Sequence, residues 1–470
     1  MKTTIRLAIT ACMGLLMATI PALAQHDLTM YHMQQVPQRI FQNPAFIPEQ
    51  KFYIGIPALS GIQSSFANPF AYNDAIERDS DDSVTLKVDS FIGKIETNDM
   101  LRLYSDVEII SLGTRLAGGR FFLGFSIRER ACQHAAVPAD LLNLAWYGNA
   151  SPKVFGREVN IAPSLNLAAF DEYGVSFSGY AMKRKISWGA RLKFLAGRIN
   201  ATTTRSEFAV VTDTATYQLN MRSDLEYRTS GIDDIDNYFD QPISALVFPE
   251  NRGFGFDAGA EWQVTDRIRV SASVLDVGYI KWKYNTLDLV THNPGETFVF
   301  SGVTLEGFLE MLDSLDNFGK KLTDSIFDLV EIDSVYDRTY TSWLPSRFNL
   351  GGSYALDRHH FNLLLNGILW NHRFHPALSV SYEYRLPRIL GVMVSYNLFN
   401  RQYTNFGGGL SVSAGPIQFY AVTDNIPGLI WYRSSNNYSI RFGINIAIRL
   451  PKQGAPPDPA PAEAVPEGTP

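Results

Sequence analysis

Cysteine is nearly missing from this chain. There are 2 in 470 residues, Cys12 and Cys132. Cys12 sits in an apolar leader and is lost with it, so Cys132 is left alone and no intrachain disulfide can form. Long apolar runs are missing too. Past the leader no stretch of about eighteen apolar residues occurs, which excludes a transmembrane helix. Nor is there a strong charge of either sign. The formal net charge of -6 argues against nucleic acid as a partner.

Recognisable chemistry is also absent. No G-x-S-x-G, phosphate loop or zinc-protease helix motif occurs. His372 and His375 have an H-x-x-H spacing in one turn, and His359 and His360 lie in another. A metal site needs a third ligand and supporting groups, and the neighbouring sequence offers neither. With only 8 His and scattered serines, no nucleophile is singled out beside a base. The sequence therefore points to no reaction, no metal and no cofactor.

What is present begins with export. Lys2 and Arg6 precede an apolar core from Leu7 to Ile20, and Ala22-Leu23-Ala24 has the small-x-small pattern of a cleavage site. A signal peptide over 1–24 is predicted, with Gln25 opening the mature chain. Apolar residues follow Cys12, which is the wrong arrangement for a lipidated cysteine.

Behind the leader, apolar and polar residues alternate segment after segment. In Ser439–Leu450, Ile440, Phe442, Ile444, Ile446, Ile448 and Leu450 fall on one face, with Arg441, Asn445 and Arg449 on the other. The segments 254–263, 268–274, 186–194 and 121–128 behave alike, and so do six more between Ser346 and Thr423. Charges keep to one face throughout. An arginine facing mid-bilayer lipid would cost about 2–4 kcal/mol, so this segregation points to a membrane wall. Aromatics make up 13%, with 22 Tyr and 30 Phe, as suits rings seated at membrane–water interfaces. The fold class predicted is all-β: an antiparallel transmembrane β-barrel of about 14 strands, within roughly 12 to 16, with short helices in extracellular loops.

Turn lengths orient it. If Ser439–Leu450 descends to the periplasm, the short turns at Gly415-Pro416, Leu386-Pro387, Asp357-Arg358 and Thr265-Asp266 land there too. The long connections Thr229–Arg252, Asn285–Pro345 and Asn425–Asn436 then land outside, with Ala131–Asp171 as one long external segment. The organisation expected is a signal peptide over 1–24, a periplasmic or luminal segment over 25–50, a barrel over 51–450 and a periplasmic tail over 451–470. That tail is rich in Pro, Ala and Glu and cannot bury a core. Leu305, Phe308, Leu309, Leu312 and Leu315 have helical spacing, either as an acidic cap on the mouth or as a helix resting on the rim. Pro138–Trp146 is a second helix candidate.

The inward face is predicted to carry Arg128, Arg191, Lys193, Asp257, Glu261, Arg269, Arg441 and Arg449. Such a lining either sets the selectivity of an open path or neutralises itself and fills the interior.

Several stretches resemble a known family. They are Tyr31-His32-Met33, Val36-Pro37-Gln38, Asn43-Pro44-Ala45-Phe46, Gly189–Gly197, Asp276-Val277-Gly278 through Trp282, Leu344–Arg347 and Thr423-Asp424-Asn425 through Leu429. Together they resemble an uncharacterised outer-membrane β-barrel family of Bacteroidota and, more distantly, the PorP/SprF-like barrels of type IX secretion and gliding. The resemblance implies the barrel and marks Pro37, Asn43, Pro44, Asp276, Gly278, Trp282, Asp424 and Asn425 as motif positions. Asn43-Pro44 suits a tight turn, either inside the barrel or at the entry to the first strand. The function expected is an outer-membrane channel or transporter, non-catalytic and surrounded by lipid. The alternative is a structural part of a secretion or gliding assembly with a periplasmic protein partner.

Overall fold

Alternation leaves each segment with one apolar face, and hydrogen bonding between segments decides which way that face turns. The computed structural model describes residues 27–78, 83–95, 101–232, 249–300, 331–370, 373–399 and 402–449. The predicted leader and tail, the helix expected over Leu305–Leu315, His372 and the side chain of Arg449 lie outside the described residues.

All the main strands join one antiparallel sheet, which closes on itself as 14 barrel strands. β1 comprises Gln50–Gly55 and Ile62–Ala67, interrupted by a short bulge. β2 is Leu101–Leu116, β3 Phe121–Ala136, β4 Ser164–Ala181 and β5 Ile186–Thr212. β6 joins Leu219–Ser230 to Arg252–Gln263, since both run antiparallel to β5. β7 runs from Ile268–Trp282 through Thr286–Thr291 to Thr297–Phe300, and β8 returns as Ile332–Tyr336, Tyr340–Trp343 and Ser346–Leu356. Then follow β9 His359–Trp370, β10 Arg373–Leu386, β11 Leu390–Phe399, β12 Gln402–Ala414, β13 Ile417–Thr423 and β14 Asn437–Arg449. Closure comes from β14 pairing with both parts of β1, Ile54 opposite Ile446 and Ser64 opposite Ile440. Closing the sheet gives the first and last strands each other as partners, so neither presents a free edge along its paired length.

The wall is inside out relative to a water-soluble protein. On β9, Phe361, Leu363, Leu365 and Leu369 are exposed, while Asn362 and Asn366 are buried. Elsewhere Arg128, Arg191 and Arg441 rank among the most deeply buried side chains. Among the described residues no helix is long and apolar enough to cross a membrane. The strands carry the apolar belt, as lipid requires. Leu365→Arg, placed mid-strand on that belt, is expected to destabilise the barrel by about 2–4 kcal/mol. The midpoint of urea unfolding in lipid vesicles checks it.

Two expectations about connections need correcting. The stretch 285–345 is not simply a loop, because β7 continues to Phe300 and β8 begins at Ile332. Likewise 131–171 is not one external segment: β3 runs on to Ala136 and β4 begins at Ser164. The reason is geometric. β5 has 27 residues, far more than a bilayer needs, so the sheet from β5 to β8 projects beyond the belt. There Phe208, Val210 and Met221 pack against Val154, Val159 and Ala162, whose segment follows helix α1, Ala139–Tyr147. Beyond the belt an apolar residue meets protein instead of lipid, and the clean alternation on which strand recognition depends is lost.

Candidate functional site

The segment 27–49 lies inside the barrel and forms a plug. Two 3-10 turns, Met30–His32 and Pro37–Phe41, fold it compactly. Pro37 opens the second turn, where a fixed φ and a missing N–H do no harm. From Asp27 to Phe46 every residue but Gln34 is buried. Its polar groups are matched to the wall. Gln35 Nε2 donates to Leu386 O at 3.0 Å, Gln38 Nε2 to Asn445 Oδ1 at 2.7 Å, and Ser273 Oγ and Asn349 Nδ2 donate to Gln42 O. Its apolar groups form clusters, Met30, Met33 and Val36 with Met393, Tyr420 and Val422.

The Asn43-Pro44 motif turns against β4, β5, β6 and β7. Asn43 Oδ1 accepts the Ala45 N–H at 2.9 Å, Asn43 Nδ2 donates to Ala272 O at 3.2 Å, and Ser178 Oγ donates to Pro44 O at 2.6 Å. The backbone comes so close that the wall opposite is glycine. A Cβ on Gly189 would stand 2.1 Å from Pro44 O, and one on Gly259 would stand 2.0 Å from Asn43 Oδ1. Thr29, Tyr31 and Met33 likewise lie over Gly407, Gly351 and Gly409.

Around the plug runs a belt of buried charge. Arg128 pairs with Asp106 and reaches Glu172 at 3.3 Å. Glu172 also takes Arg130 at 2.6 Å and Arg191 at 2.7 Å. Asp276 collects Arg130 at 2.7 Å, Lys193 at 2.6 Å and Arg347 at 3.0 Å, and Lys193 reaches Asp257 at 2.5 Å. Arg441 binds Asp27 of the plug at 2.8 Å, with Asp106 and Glu108 behind. The six cations Arg128, Arg130, Arg191, Lys193, Arg347 and Arg441 thus face six carboxylates, and the belt is neutral as written. Phe41 of the plug slides between two of these cations, its ring 4.5 Å from the Arg128 guanidinium carbon and 4.4 Å from that of Arg191. A desolvated cation over a ring contributes about 2 kcal/mol, so Phe41 is a principal anchor.

Asp276 reaches its cations through a bulge. Between Val274 and Val277 β7 carries two residues, Leu275 and Asp276, opposite the single Asp257 of β6, and Asp276 adopts φ 59°. Leu275 and Asp276 consequently both turn inward, against the alternation. Asp tolerates this left-handed backbone better than most residues. Asp257 Oδ1 accepts the Asp276 N–H at 2.6 Å and steadies the turn. Gly278 follows because Phe254 O lies 2.4 Å from where a Cβ would stand. Trp282, fully buried, donates Nε1 to Ser342 Oγ at 2.8 Å and stacks on Tyr340.

Of the other predicted lining residues, Glu261 and Arg269 are half-buried, and Arg269 Nη1 donates to Gln34 Oε1 at 3.3 Å. Asp424 and Asn425 sit at the far end of β13. Asp424 accepts hydrogen bonds from Leu28 and Thr29 of the plug, and Asn425 caps helix α2, Ile426–Ile430, by accepting the Gly428 N–H. His359 and His360 stand on β9 and His375 on β10. Among the described residues no three His, Cys, Asp or Glu gather as a metal site.

Sequence reasoning passed over Arg130, Arg347, Asp106, Glu108, Glu172 and Asp27. One signal was available. Arg128 and Arg130, like Asp106 and Glu108, are spaced by two, so each pair shares a strand face. The inward glycines were a second, because a glycine on the polar face of a strand marks close approach of another backbone.

Burial shapes the plug's ionisation. It pushes His32 down to about 3, with the Arg39 charge adding to the effect, so the imidazole is neutral with Nε2 at 3.3 Å from Leu363 O. Burial likewise lowers Arg39 to about 10. Asp424 moves the other way, raised by burial to about 7 despite the Thr29 hydrogen bonds.

No curated protein matches the chain. Among solved structures, it is similar to the Ralstonia pickettii toluene transporter TbuX, at 11% identity and a TM-score of 0.37 over 87% of this chain and 91% of that one. It is also similar to the Pseudomonas putida toluene transporter TodX, at 8% identity and 0.39 over 86% and 91%. A Pseudomonas aeruginosa FadL homologue gives 12% and 0.37 over 87% and 91%. Residues 44–424, most of the chain, match the profile of the family of unknown function DUF5723, and the chain belongs to that family.

Proposed function

We propose that this protein is a gated outer-membrane channel or transporter in which the amino-terminal segment is the stopper. One observation carries the reading: the wall closes without the plug. β14 pairs with β1 directly, and residues 27–46 add no strand to the sheet. The plug is joined to the wall covalently at one described end only, through β1. Much of its contact is hydrogen bonding, which water can replace on withdrawal at modest net cost. Short turns at Ala117–Gly119 and Met182–Arg184, and those at 264–267, 357–358, 387–389 and 415–416, gather at one end of the barrel, which we assign to the periplasm.

The test is single-channel conductance in planar bilayers. The mature protein is expected to stay mostly closed, whereas deletion of residues 25–46, or Phe41→Ala, opens a steady current. Phe41→Ala should also lower barrel stability by about 3–5 kcal/mol, the usual range for a buried Phe. Silence from all three, each verified as a folded barrel, would sink the channel reading. It would favour a structural part of a secretion or gliding assembly, a role that a filled lumen also suits.

A further inference from the structure

The Thr423–Leu429 motif lies at a place where the barrel wall is incomplete. β13 stops at Thr423, although its neighbours continue. Beyond it, residues 402–407 of β12 and 437–440 of β14 have no strand between them. Side chains span the gap: Asn437 Nδ2 donates to Asn405 Oδ1 at 2.9 Å, and Asn425 Nδ2 donates to Asn437 O at 3.0 Å.

Asp424 stands at the base of this gap, 2% exposed. Its backbone is pinned to the wall, the N–H donating to Ser439 Oγ at 2.7 Å and the carbonyl accepting from Asn397 Nδ2 at 2.9 Å. Its carboxyl group turns to the plug. It accepts from Thr29 N at 2.8 Å, Thr29 Oγ1 at 2.6 Å and Leu28 N at 3.2 Å. Thr29 precedes the Met30–His32 turn, so Asp424 caps the start of that turn from across the lumen. Asp424 is the wall's grip on the first described residues of the plug.

The grip is electrically unusual. Among the described residues no cation pairs with Asp424. The charged group facing it from the plug is Asp27, a like charge already held by Arg441 of β14. Arg441 is also engaged with Asp106 and Glu108 of β2. His32 on the same turn is neutral, and β11 presents only Ser395 and Asn397. A buried carboxylate without a cation is costly, while a buried neutral acid with hydrogen-bond partners is not.

We propose that Asp424 is a proton-sensitive latch: neutral, it keeps the plug seated; ionised, it favours release. The inference rests on the plug being the movable stopper described above, and it adds the regulation of that stopper. Withdrawal of the plug lets water reach Asp424, which returns to the ordinary carboxylate range. With the plug seated, burial holds it near about 7. The seated state therefore binds the proton more tightly. Seating is strongest below the ordinary carboxylate range. Each pH unit from about 4 up to 7 weakens it by up to about tenfold, and above 7, where Asp424 is ionised in both states, it changes no further.

The experiment follows plug seating without relying on current. Val36, buried in the plug, is replaced (Val36→Cys) in a Cys132→Ser background of the full mature chain, reconstituted in phosphatidylethanolamine–phosphatidylglycerol vesicles. Maleimide labelling is timed between pH 4 and 8.5. Each rate is divided by that of the same protein carrying Asp424→Asn, which cancels the thiol's own pH dependence. The expected ratio is near one at pH 4, climbs up to pH 7 and levels off above it. A flat ratio, or Asp424→Asn labelling faster at every pH, overturns the latch and leaves Asp424 as a prop. If Asp424→Asn does not fold, Thr29→Val decides. Loss of one hydrogen bond to the carboxylate should move the pH midpoint upward, and an unmoved midpoint overturns the proposal. A climbing ratio with silent bilayers keeps the latch and removes the channel. A flat ratio with current from the plug deletion does the reverse.

Discussion

Asp276→Ala is expected to cost the barrel about 3–5 kcal/mol, the range seen when one partner of a buried ion network is removed. The side chain has only about 1% exposure and joins Arg130, Lys193 and Arg347. Without it the neutral belt holds one uncompensated cation, and three cationic groups crowd a space that water does not readily enter. Asp276→Asn keeps the shape of the bulge and some hydrogen bonds but loses the charge, so it should fall between alanine and the parent. The measurement is the urea midpoint of the purified barrel in detergent, read from the gel mobility of folded and heat-denatured forms. A loss below about 1 kcal/mol, the size of an exposed ion pair, would mean that the belt is hydrated in the resting protein. The lumen would then be wet around the plug, and the filled interior described here would be wrong.

Gly189→Val should have the opposite character, with little effect on the wall and a large one on the plug. Valine suits a strand, and Gly189 itself pairs with Ser178 of β4 and Gly259 of β6 through its backbone. The added side chain, however, would enter the space of the Pro44 carbonyl, whose oxygen is 2.1 Å and carbon 2.3 Å from the new Cβ. Both are backbone atoms of a turn fixed by Asn43 and Ser178, so the clash exceeds the roughly 1–3 kcal/mol of ordinary overpacking. The Asn43-Pro44 turn must leave its seat. The expected outcome is a folded barrel with its strand pairing intact, whose conductance resembles that of the 25–46 deletion. A closed Gly189→Val barrel would show that the plug can reseat elsewhere. The stopper would then depend on Phe41 and its two arginines more than on the Asn-Pro turn.

The belt and the plug differ in how far the sequence reveals them. Arg128, Arg191, Lys193, Asp257 and Arg441 announce their direction because each lies in an unbroken alternation, where a neighbour's polarity fixes the face. Asp276 does not: in strict alternation Leu275 and Asp276 would face opposite ways, and only the bulge turns both inward. The partners are less legible still. Arg130 and Asp276 are 146 residues apart, and nothing local to either names the other. Whether the lining neutralises itself was therefore undecidable from the inward cations, since Asp106, Glu108 and Glu172 lie on β2 and β4, where alternation is interrupted by bulges or by packing against protein.

Period-two polarity is a local property, and it suffices to specify an all-β chain of about 14 strands with an apolar outside, because each strand need know only its own two faces. The amino-terminal Gln35, Gln38 and Gln42 have no such period, so the chain's own pattern leaves their segment free to lie anywhere. Closure of β14 on β1 creates the enclosed space, and inward glycines on distant strands shape a seat within it. The plug, the neutral belt around Phe41 and the Asp424 contact all depend on residues brought together across the lumen. Those were decided by tertiary structure, since a complementary surface exists only once the wall that bears it has closed.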